Sequence, residues 1–333
     1  PGRTFDMAQT LVSIRDLSVR YRSRDDMAYA VDQVSLDIDR GSVYALVGES
    51  GSGKTTVGMS ILNLLPDEAD ILGGEVYFGP DNMLTLDEHS LRHTRGRRIT
   101  MIFQDPVAGL NPVISVGEQV GEVLTTHLGM NKRDAQSASV DILRQVGLAD
   151  PERVAKSYPF QLSGGMCQRV MIGIATALSP DLIIADEPTA ALDVTVQASI
   201  LHQLDTLRRE HDTAILLITH DFGVVSQIAD QVGVMYAGHL VESGPVREVL
   251  RSPFHPYTHG LLAALPRLDD VGQELYALPG TAPELKEPAG HCPFIPRCRK
   301  AMQQCRDIGP PQLTPLPGQS DRSLACYNPI WQE

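Results

Sequence analysis

The chain has 333 residues, of which 42% are hydrophobic and 21% are charged. This composition is that of a globular protein with a sizeable core, and the length indicates one large domain with an appendage or two modest domains. The formal net charge of -13 argues against a nucleic-acid-binding protein, because binding to a phosphate backbone depends on clustered Lys and Arg.

Apolar runs in the chain are short. None approaches the roughly 18 residues that a membrane-spanning helix needs. The opening residues, 1–10, lack the cationic and apolar segments of a secretory signal. Five cysteines, four of them after residue 290, do not resemble the disulfide framework of a secreted protein. We therefore expect a soluble chain in the cytoplasm.

Short apolar runs bounded by turns predict strands over 11–19, 34–38 and 43–47, followed by a helix over 55–65. Residues from 112 to about 178 show helical spacing and little strand pattern, which predicts a helical insertion. Strands resume over 182–185, 214–218 and 231–236, separated by helical stretches. This alternation is typical of an α/β fold in which parallel strands are joined by crossover helices.

Proline becomes frequent near the end of the chain. Of the 23 prolines, 14 lie between Pro245 and Pro329, where long helices and central strands are disfavoured. A short helix over 256–265 is the exception. We therefore predict a large domain over residues 8–250 and a loop-rich C-terminal extension over 251–333.

A glycine-rich segment lies between the predicted strand over 43–47 and the next predicted helix. It consists of Gly48, Glu49, Ser50, Gly51, Ser52, Gly53, Lys54 and Thr55, with Thr56 next. The N–H groups of such a turn, with the positive end of the following helix, can hold the phosphates of ATP. Lys54 would reach the β- and γ-phosphates, and the Thr55 hydroxyl would bind Mg²⁺.

Two carboxylates end the predicted strand over 182–185. In a fold with a phosphate-binding loop an acid at this place faces Mg²⁺, and we assign that role to Asp186. Glu187 would take a proton from the attacking water. An apolar run that ends in Asp-Glu is by itself only a strand meeting a turn, so the assignment depends on its pairing with the glycine-rich segment.

A Leu-Ser-Gly-Gly element lies ahead of this strand. Ser163 can cap the following helix, and two glycines would let a phosphate approach its amides; a plain helix cap is the alternative. The whole segment over 162–169 resembles the diagnostic element of the nucleotide-binding subunits of ABC transporters. In that family it contacts ATP held by a second nucleotide-binding subunit, a copy or a paralogue. The resemblance implies that contact for Ser163, Gly164, Gly165 and Gln168.

Other positions match the same family. The resemblance implies that Gln104 senses Mg²⁺ and water, that His220 contacts the γ-phosphate and that Tyr21 stacks on adenine. It implies a dimer-interface loop at Ala191, Leu192 and Asp193. Taken singly, an aromatic residue in a strand usually serves packing, and a histidine at a strand end is usually structural. The implied catalytic residues are Glu187, His220, Gln104 and Lys54, and the implied Mg²⁺ ligands are Thr55, Gln104 and Asp186.

Segments over 103–106, 110–112, 255–266 and 278–281 are similar to the ATP-binding subunits of dipeptide and oligopeptide importers. This resemblance implies a P-loop NTPase core with an N-terminal antiparallel β-subdomain and an inserted helical subdomain. It also implies two transmembrane permease subunits, an indirectly acting extracytoplasmic substrate-binding protein and a place on the cytoplasmic face of a bacterial membrane. Nickel chelates or glutathione are alternative cargoes, and a soluble ABC ATPase outside transport is the alternative class.

Four cysteines lie in the proline-rich tail: Cys292, Cys298, Cys305 and Cys326. A tail poor in regular structure needs a cross-link, but disulfides conflict with a reducing cytoplasm. The close cysteine pairs of structural zinc sites are absent, so zinc is the alternative rather than the expectation. Four thiolates suit a [4Fe-4S] cluster, and the peptide-importer resemblance implies one in this tail.

Overall fold

The computed structural model describes residues 9–23, 26–190, 193–265 and 277–331. Within these ranges the strands are β1 (Thr10–Arg22), β2 (Met27–Asp39), β3 (Val43–Val47), β4 (Ala69–Phe78), β5 (Asp81–Asn82), β6 (Ile99–Ile102), β7 (Leu182–Asp186), β8 (Ala214–Thr219), β9 (Gln231–Tyr236), β10 (His239–Pro245), β11 (Thr314–Leu316) and β12 (Gln319–Leu324).

The helices of the same ranges are α1 (Lys54–Ile61), α2 (Glu88–Thr94), α3 (Val116–Leu128), α4 (Lys132–Gln145), α5 (Pro151–Lys156), α6 (Gly164–Thr176), α7 (Val194–His211), α8 (Phe222–Ile228), α9 (Val246–Arg251), α10 (Pro256–Ala263) and α11 (Gln303–Asp307). Two short 3₁₀ helices, Pro159–Gln161 and Ile295–Arg297, complete the set. The chain divides into two compact units.

The first unit contains the described residues up to Ile38, Val43–Leu84 and the described residues from Ile218 onward. Its antiparallel sheet has the strand order β2-β1-β4-β5. A second, mixed sheet has the order β11-β12-β10-β9-β3, in which β3 is parallel to β9 and the other pairings are antiparallel. All five residues of β3 are buried, which explains its unbroken apolar sequence.

The second unit contains Asp39–Ser42 and Thr85–Leu217. In it β6 runs parallel to β7, with Ile99 opposite Leu182, and β8 follows β7 in the sheet order. Residues 112–178 form four α-helices and a 3₁₀ helix, without a strand. The α/β fold class with a helical segment is therefore confirmed, and the domain boundaries at 8–250 and 251–333 stay a prediction.

The elements differ from the predicted ones mainly in extent. β1 and β2 each have 13 residues and extend well beyond the apolar runs that predicted them, and α1 ends at Ile61 rather than at residue 65. The proline-rich tail contains more regular structure than expected. Its β12 pairs with β10, and Glu242 lies opposite Leu324. This antiparallel pairing gives hydrogen-bond partners to backbone groups that would have none in a short isolated strand.

None of the helices in the described residues combines the length and the apolar character that crossing a bilayer requires.

Candidate ATP site

The glycine-rich segment forms a closed loop around a buried lysine. Lys54, 6% exposed, donates from Nζ to the carbonyl oxygen of Gly48 at 2.8 Å and to that of Glu49 at 2.9 Å. Nζ also lies 3.2 Å from Ser52 Oγ. The ammonium group is thus held at the centre of the loop, where it would meet a bound phosphate.

Glycine is required at two points of this loop by close backbone approach. A Cβ at Gly53, whose φ is 100°, would lie 2.1 Å from the carbonyl oxygen of Ala30. A Cβ at Gly48 would lie 2.2 Å from the carbonyl oxygen of Met235. No acidic residue occupies the first turn of α1, so the positive end of the helix is left for an anion. These features fit a bound polyphosphate.

Other predicted site residues of the first unit lie on α1, on β1, at the loop and after β8. Thr55, in the first turn of α1, is exposed, as a Mg²⁺ ligand must be, and Thr56 is buried. The Tyr21 hydroxyl lies 3.3 Å from Thr56 Oγ1, so the aromatic ring assigned to adenine is next to the loop. His220 is exposed directly after β8. Ser50 and Gly51 are exposed at the tip of the loop.

The predicted carboxylates lie together in the second unit. Asp186 is the last residue of β7 and is 3% exposed. Glu187 follows with a φ of 46°, and its Oε2 accepts a hydrogen bond from Gln104 Nε2 at 3.2 Å. Gln104 comes two residues after β6, the strand that pairs with β7. Parallel pairing of these two strands therefore explains why residues 83 positions apart are neighbours.

The Leu-Ser-Gly-Gly element forms the beginning of α6. Ser163 is the N-cap, and its Oγ accepts from the backbone N–H of Met166 at 3.3 Å. Ser163 and Gly164 are exposed and Gly165 is partly buried. Gln168 is only 3% exposed, so Ser163 and Gly164 are better placed than Gln168 to reach ATP of another subunit. The contact stays a prediction for all of these residues.

The interface-loop residue Asp193 caps α7, with Oδ1 accepting from the N–H groups of Thr195 and Val196 at 3.0 Å each. A role in an interface stays a prediction. Ala191 and Leu192 lie outside the described residues.

The prediction of a metal centre in the tail is wrong. In the described ranges, no group of three or more His, Cys, Asp or Glu side chains could hold a metal ion. Cys292, Cys298, Cys305 and Cys326 border one small cavity as free cysteines. Burial raises the pKa of Cys292 to about 11 and that of Cys326 to about 12. Neither the [4Fe-4S] cluster nor zinc is therefore supported.

Two residues that reach the phosphate-binding loop were missed by sequence reasoning. Arg297 forms an ion pair with Glu49, and the hydroxyl of Tyr257 accepts from the backbone N–H of Glu49 at 2.9 Å. The arginine stands beside Cys298 in a stretch that was interpreted for its cysteines. A lone arginine in an irregular segment carries no local signal of its partner.

Two parts of the chain match protein families. Residues 31–190 match the ABC transporter family, and residues 241–305 match the family "Oligopeptide/dipeptide transporter, C-terminal region". The chain is 44% identical over 305 residues to the dipeptide transport ATP-binding protein DppD of Bacillus subtilis, with 91% of each chain covered. It is 45% identical over 323 residues to the oligopeptide transport ATP-binding protein OppD of Salmonella typhimurium, covering 97% of this chain and 95% of the relative.

Solved structures show the same fold. One is the ATP-binding cassette MJ0796, a dimer in a post-hydrolysis state with ADP and Pi, with a TM-score of 0.65 and 29% identity over 71% of this chain and 99% of that one. Another is cbiO1 from Clostridium perfringens, part of the transporter complex cbiONQ, with a TM-score of 0.60 and 25% identity over 73% of this chain and 92% of that one. The chain therefore belongs to the ABC ATPase family, among the ATP-binding proteins of oligopeptide and dipeptide transporters.

Proposed function

We propose that this chain hydrolyses ATP to drive the import of dipeptides or oligopeptides across a bacterial membrane. The observation that carries the proposal is that similarity to peptide-transport ATP-binding proteins extends over 91% to 97% of the chain, C-terminal region included. The partners would be a second nucleotide-binding subunit, two transmembrane permease subunits and, indirectly, an extracytoplasmic substrate-binding protein. The chain would act at the cytoplasmic face of the membrane.

The phosphate-binding loop would hold the triphosphate. Backbone N–H groups of the loop and the Lys54 ammonium would neutralise its charge, and Tyr21 would contact adenine. We assign Thr55 to Mg²⁺, with Gln104 and Asp186 as further ligands. Bound Mg²⁺ would offset the charge that develops on the phosphate oxygens.

The hydrolytic water would be activated by Glu187. Its carboxylate is partly exposed and is oriented by the hydrogen bond from Gln104, so it can accept the proton of a water molecule. His220 is assigned to the γ-phosphate, where a hydrogen bond would stabilise the developing charge.

A second subunit would complete the nucleotide site. The N-terminus of α6 is exposed at Ser163 and Gly164, so an anion from outside the chain could approach the first backbone N–H groups of the helix. Dimeric MJ0796 with ADP and Pi supports this arrangement for a relative of the same fold. The loop that ends at Asp193 would lie at the same interface.

A transport assay tests the proposal. The chain is purified with its membrane subunits and its substrate-binding protein, reconstituted into liposomes with ATP at the face that holds this subunit, and given a set of labelled di- to pentapeptides. We expect ATP-dependent accumulation of some peptides and none with Lys54→Ala in this chain, because the variant lacks the ammonium group at the phosphates.

Nickel chelates and glutathione serve as competing cargoes in the same assay. Stimulation of ATP hydrolysis and uptake by one of these alone would contradict peptide import but leave the ATPase intact. Failure of any membrane subunit to copurify would contradict the transport role altogether.

A further inference from the structure

Arg297 is a buried arginine that joins the C-terminal region to the phosphate-binding loop. Its side chain is 3% exposed, and both of its terminal nitrogens donate to Glu49, Nη1 to Oε2 at 2.6 Å and Nη2 to Oε1 at 2.8 Å. Nε donates to the carbonyl oxygen of Pro279 at 2.7 Å. A two-pronged contact of this kind fixes the direction of both side chains, which a single ion pair does not.

Glu49 is held at its backbone as well. Its N–H donates to the Tyr257 hydroxyl, and its carbonyl oxygen accepts from Lys54 Nζ at 2.9 Å. The residue that Arg297 grips is therefore the one whose carbonyl oxygen helps to place the loop lysine. A movement of Glu49 would move the point to which the Lys54 ammonium is attached.

The two residues that bind Glu49 belong to an aromatic cluster or pack against it: Tyr257 is part of the cluster, and Arg297 contacts it. The rings of Tyr236, Tyr257 and Phe294 lie 4.6 to 5.4 Å apart between centroids. The Arg297 guanidinium lies 5.6 Å from the centre of the Tyr236 ring. Tyr236 and Tyr257 are at most 1% exposed, so the support has little freedom to shift.

Charge gives a second reason for the contact. A carboxylate within a loop that binds polyphosphate would repel the ligand unless a cation offsets it. Arg297 supplies that cation from outside the loop and leaves Lys54 available for the phosphates.

We propose that Arg297 is a positioning residue for ATP binding, which it promotes by orienting and neutralising Glu49. The inference rests on the proposed assignment of the ATP phosphates to the loop around Lys54. In this role Arg297 acts through Glu49 and not on the nucleotide itself. It makes the affinity for ATP dependent on the packing of the C-terminal region, because the 3₁₀ helix Ile295–Arg297 and the carbonyl of Pro279 set its position.

The experiment measures the Kd for Mg-ATP by calorimetry on the full chain, in a Glu187→Gln background that prevents turnover. Arg297→Lys keeps the charge and loses the fork, and Arg297→Gln loses both. We expect Kd to rise about tenfold with Arg297→Lys and further with Arg297→Gln. The maximal ATPase rate at saturating ATP, measured with Glu187 restored, should change much less than KM.

Arg322→Lys is the matched control. Arg322 is also 3% exposed and pairs with a buried carboxylate, Glu242, at 2.9 Å, but it does not contact the loop. Arg322→Lys should leave the Kd for Mg-ATP unchanged. Tyr257→Phe is a second test. It keeps the aromatic ring and removes only the hydroxyl that accepts from the Glu49 N–H. This variant should also weaken ATP binding, and it can be measured even if the Arg297 variants fail to fold.

A double-mutant cycle with Lys54→Ala separates the inference from the assignment on which it rests. If the two sites act together, Arg297→Lys should add little to Lys54→Ala. Unchanged affinity in Arg297→Lys and Tyr257→Phe, with a clear loss in Lys54→Ala, would overturn the inference alone. Unchanged affinity in Lys54→Ala would overturn the proposed ATP site as well.

Discussion

The backbone at Glu187 is strained, with a φ of 46° that non-glycine residues rarely adopt. The residue comes directly after the buried end of β7, and the turn there aims its carboxylate at the Gln104 amide instead of continuing the strand. Strain of this kind occurs at functional sites where the surroundings hold a side chain in a required direction. The place of Glu187 after β7 and the hydrogen bond from Gln104 therefore support Glu187 as the base.

Glu187→Gln tests this role with a nearly isosteric change. The amide cannot accept a proton from water, so we expect the ATPase rate to fall by at least about 100-fold. ATP binding should persist, because the loop around Lys54 is untouched. Hydrolysis and nucleotide binding are measured separately on the same preparation.

Glu122→Gln is the matched control, since Glu122 is an exposed residue on α3. A Glu187→Gln protein that hydrolyses ATP as fast as this control would rule out Glu187 as the base.

The helix α10 is capped by a buried histidine. His255, 2% exposed, accepts from the Tyr257 N–H through Nδ1 at 3.0 Å, and its ring lies 5.7 Å from that of Phe294. Burial lowers the pKa of His255 to about 3, because the protonated form would have to be desolvated. The unfolded chain binds this proton near pH 6.5, so the folded state becomes less stable as pH falls from 6.5 towards 3.

His255→Asn should reduce this sensitivity to acid. Asparagine is a good N-cap that can accept the same N–H but does not titrate. One proton contributes about 1.4 kcal/mol per pH unit, so the histidine should cost about 2 kcal/mol between pH 6.5 and pH 5. The measurement is the difference in the free energy of unfolding by urea between pH 7.5 and pH 5, which should shrink by about that amount in the variant.

His259→Asn, on the exposed side of the same helix, is the control and should leave the difference unchanged. An equal pH dependence in wild type and His255→Asn would show that other groups dominate the acid response.

We expect this chain to assemble with a second nucleotide-binding subunit. A Cβ at Gly164, which is exposed, would meet no atom of another described element within 4 Å, so we expect Gly164→Glu to fold normally. Its carboxylate would repel the phosphates of the partner's nucleotide at the start of α6. In a Glu187→Gln background, we expect ATP to induce association of this chain with its partner subunit, and Gly164→Glu to prevent it, as measured by light scattering.

Gly290→Glu adds the same charge at another open, exposed position and should associate like the parent. Association of both variants to the same extent would contradict a role of the α6 N-terminus in the interface.

Features that depend on neighbours along the chain could be predicted from residue types and their spacing. The phosphate-binding loop needs glycines, a lysine and a hydroxyl in consecutive positions after a strand, and β3 and α1 begin where that pattern predicts. Asp186 and Glu187 could be located because they come at the end of a buried apolar strand. Ser163 caps α6 through a contact with a residue three positions away. Such contacts are local, so residue types and their spacing are enough to predict them.

Contacts between residues far apart along the chain became visible only in the folded protein. Arg297 reaches Glu49 across 248 positions, β12 of the proline-rich tail pairs with β10, and the four tail cysteines border one cavity without the arrangement of a metal site. The cluster was expected from the number of cysteines and from the family resemblance, and neither specifies the directions of the side chains in an irregular segment. These outcomes depend on the packing of separate elements against each other, which no local pattern encodes.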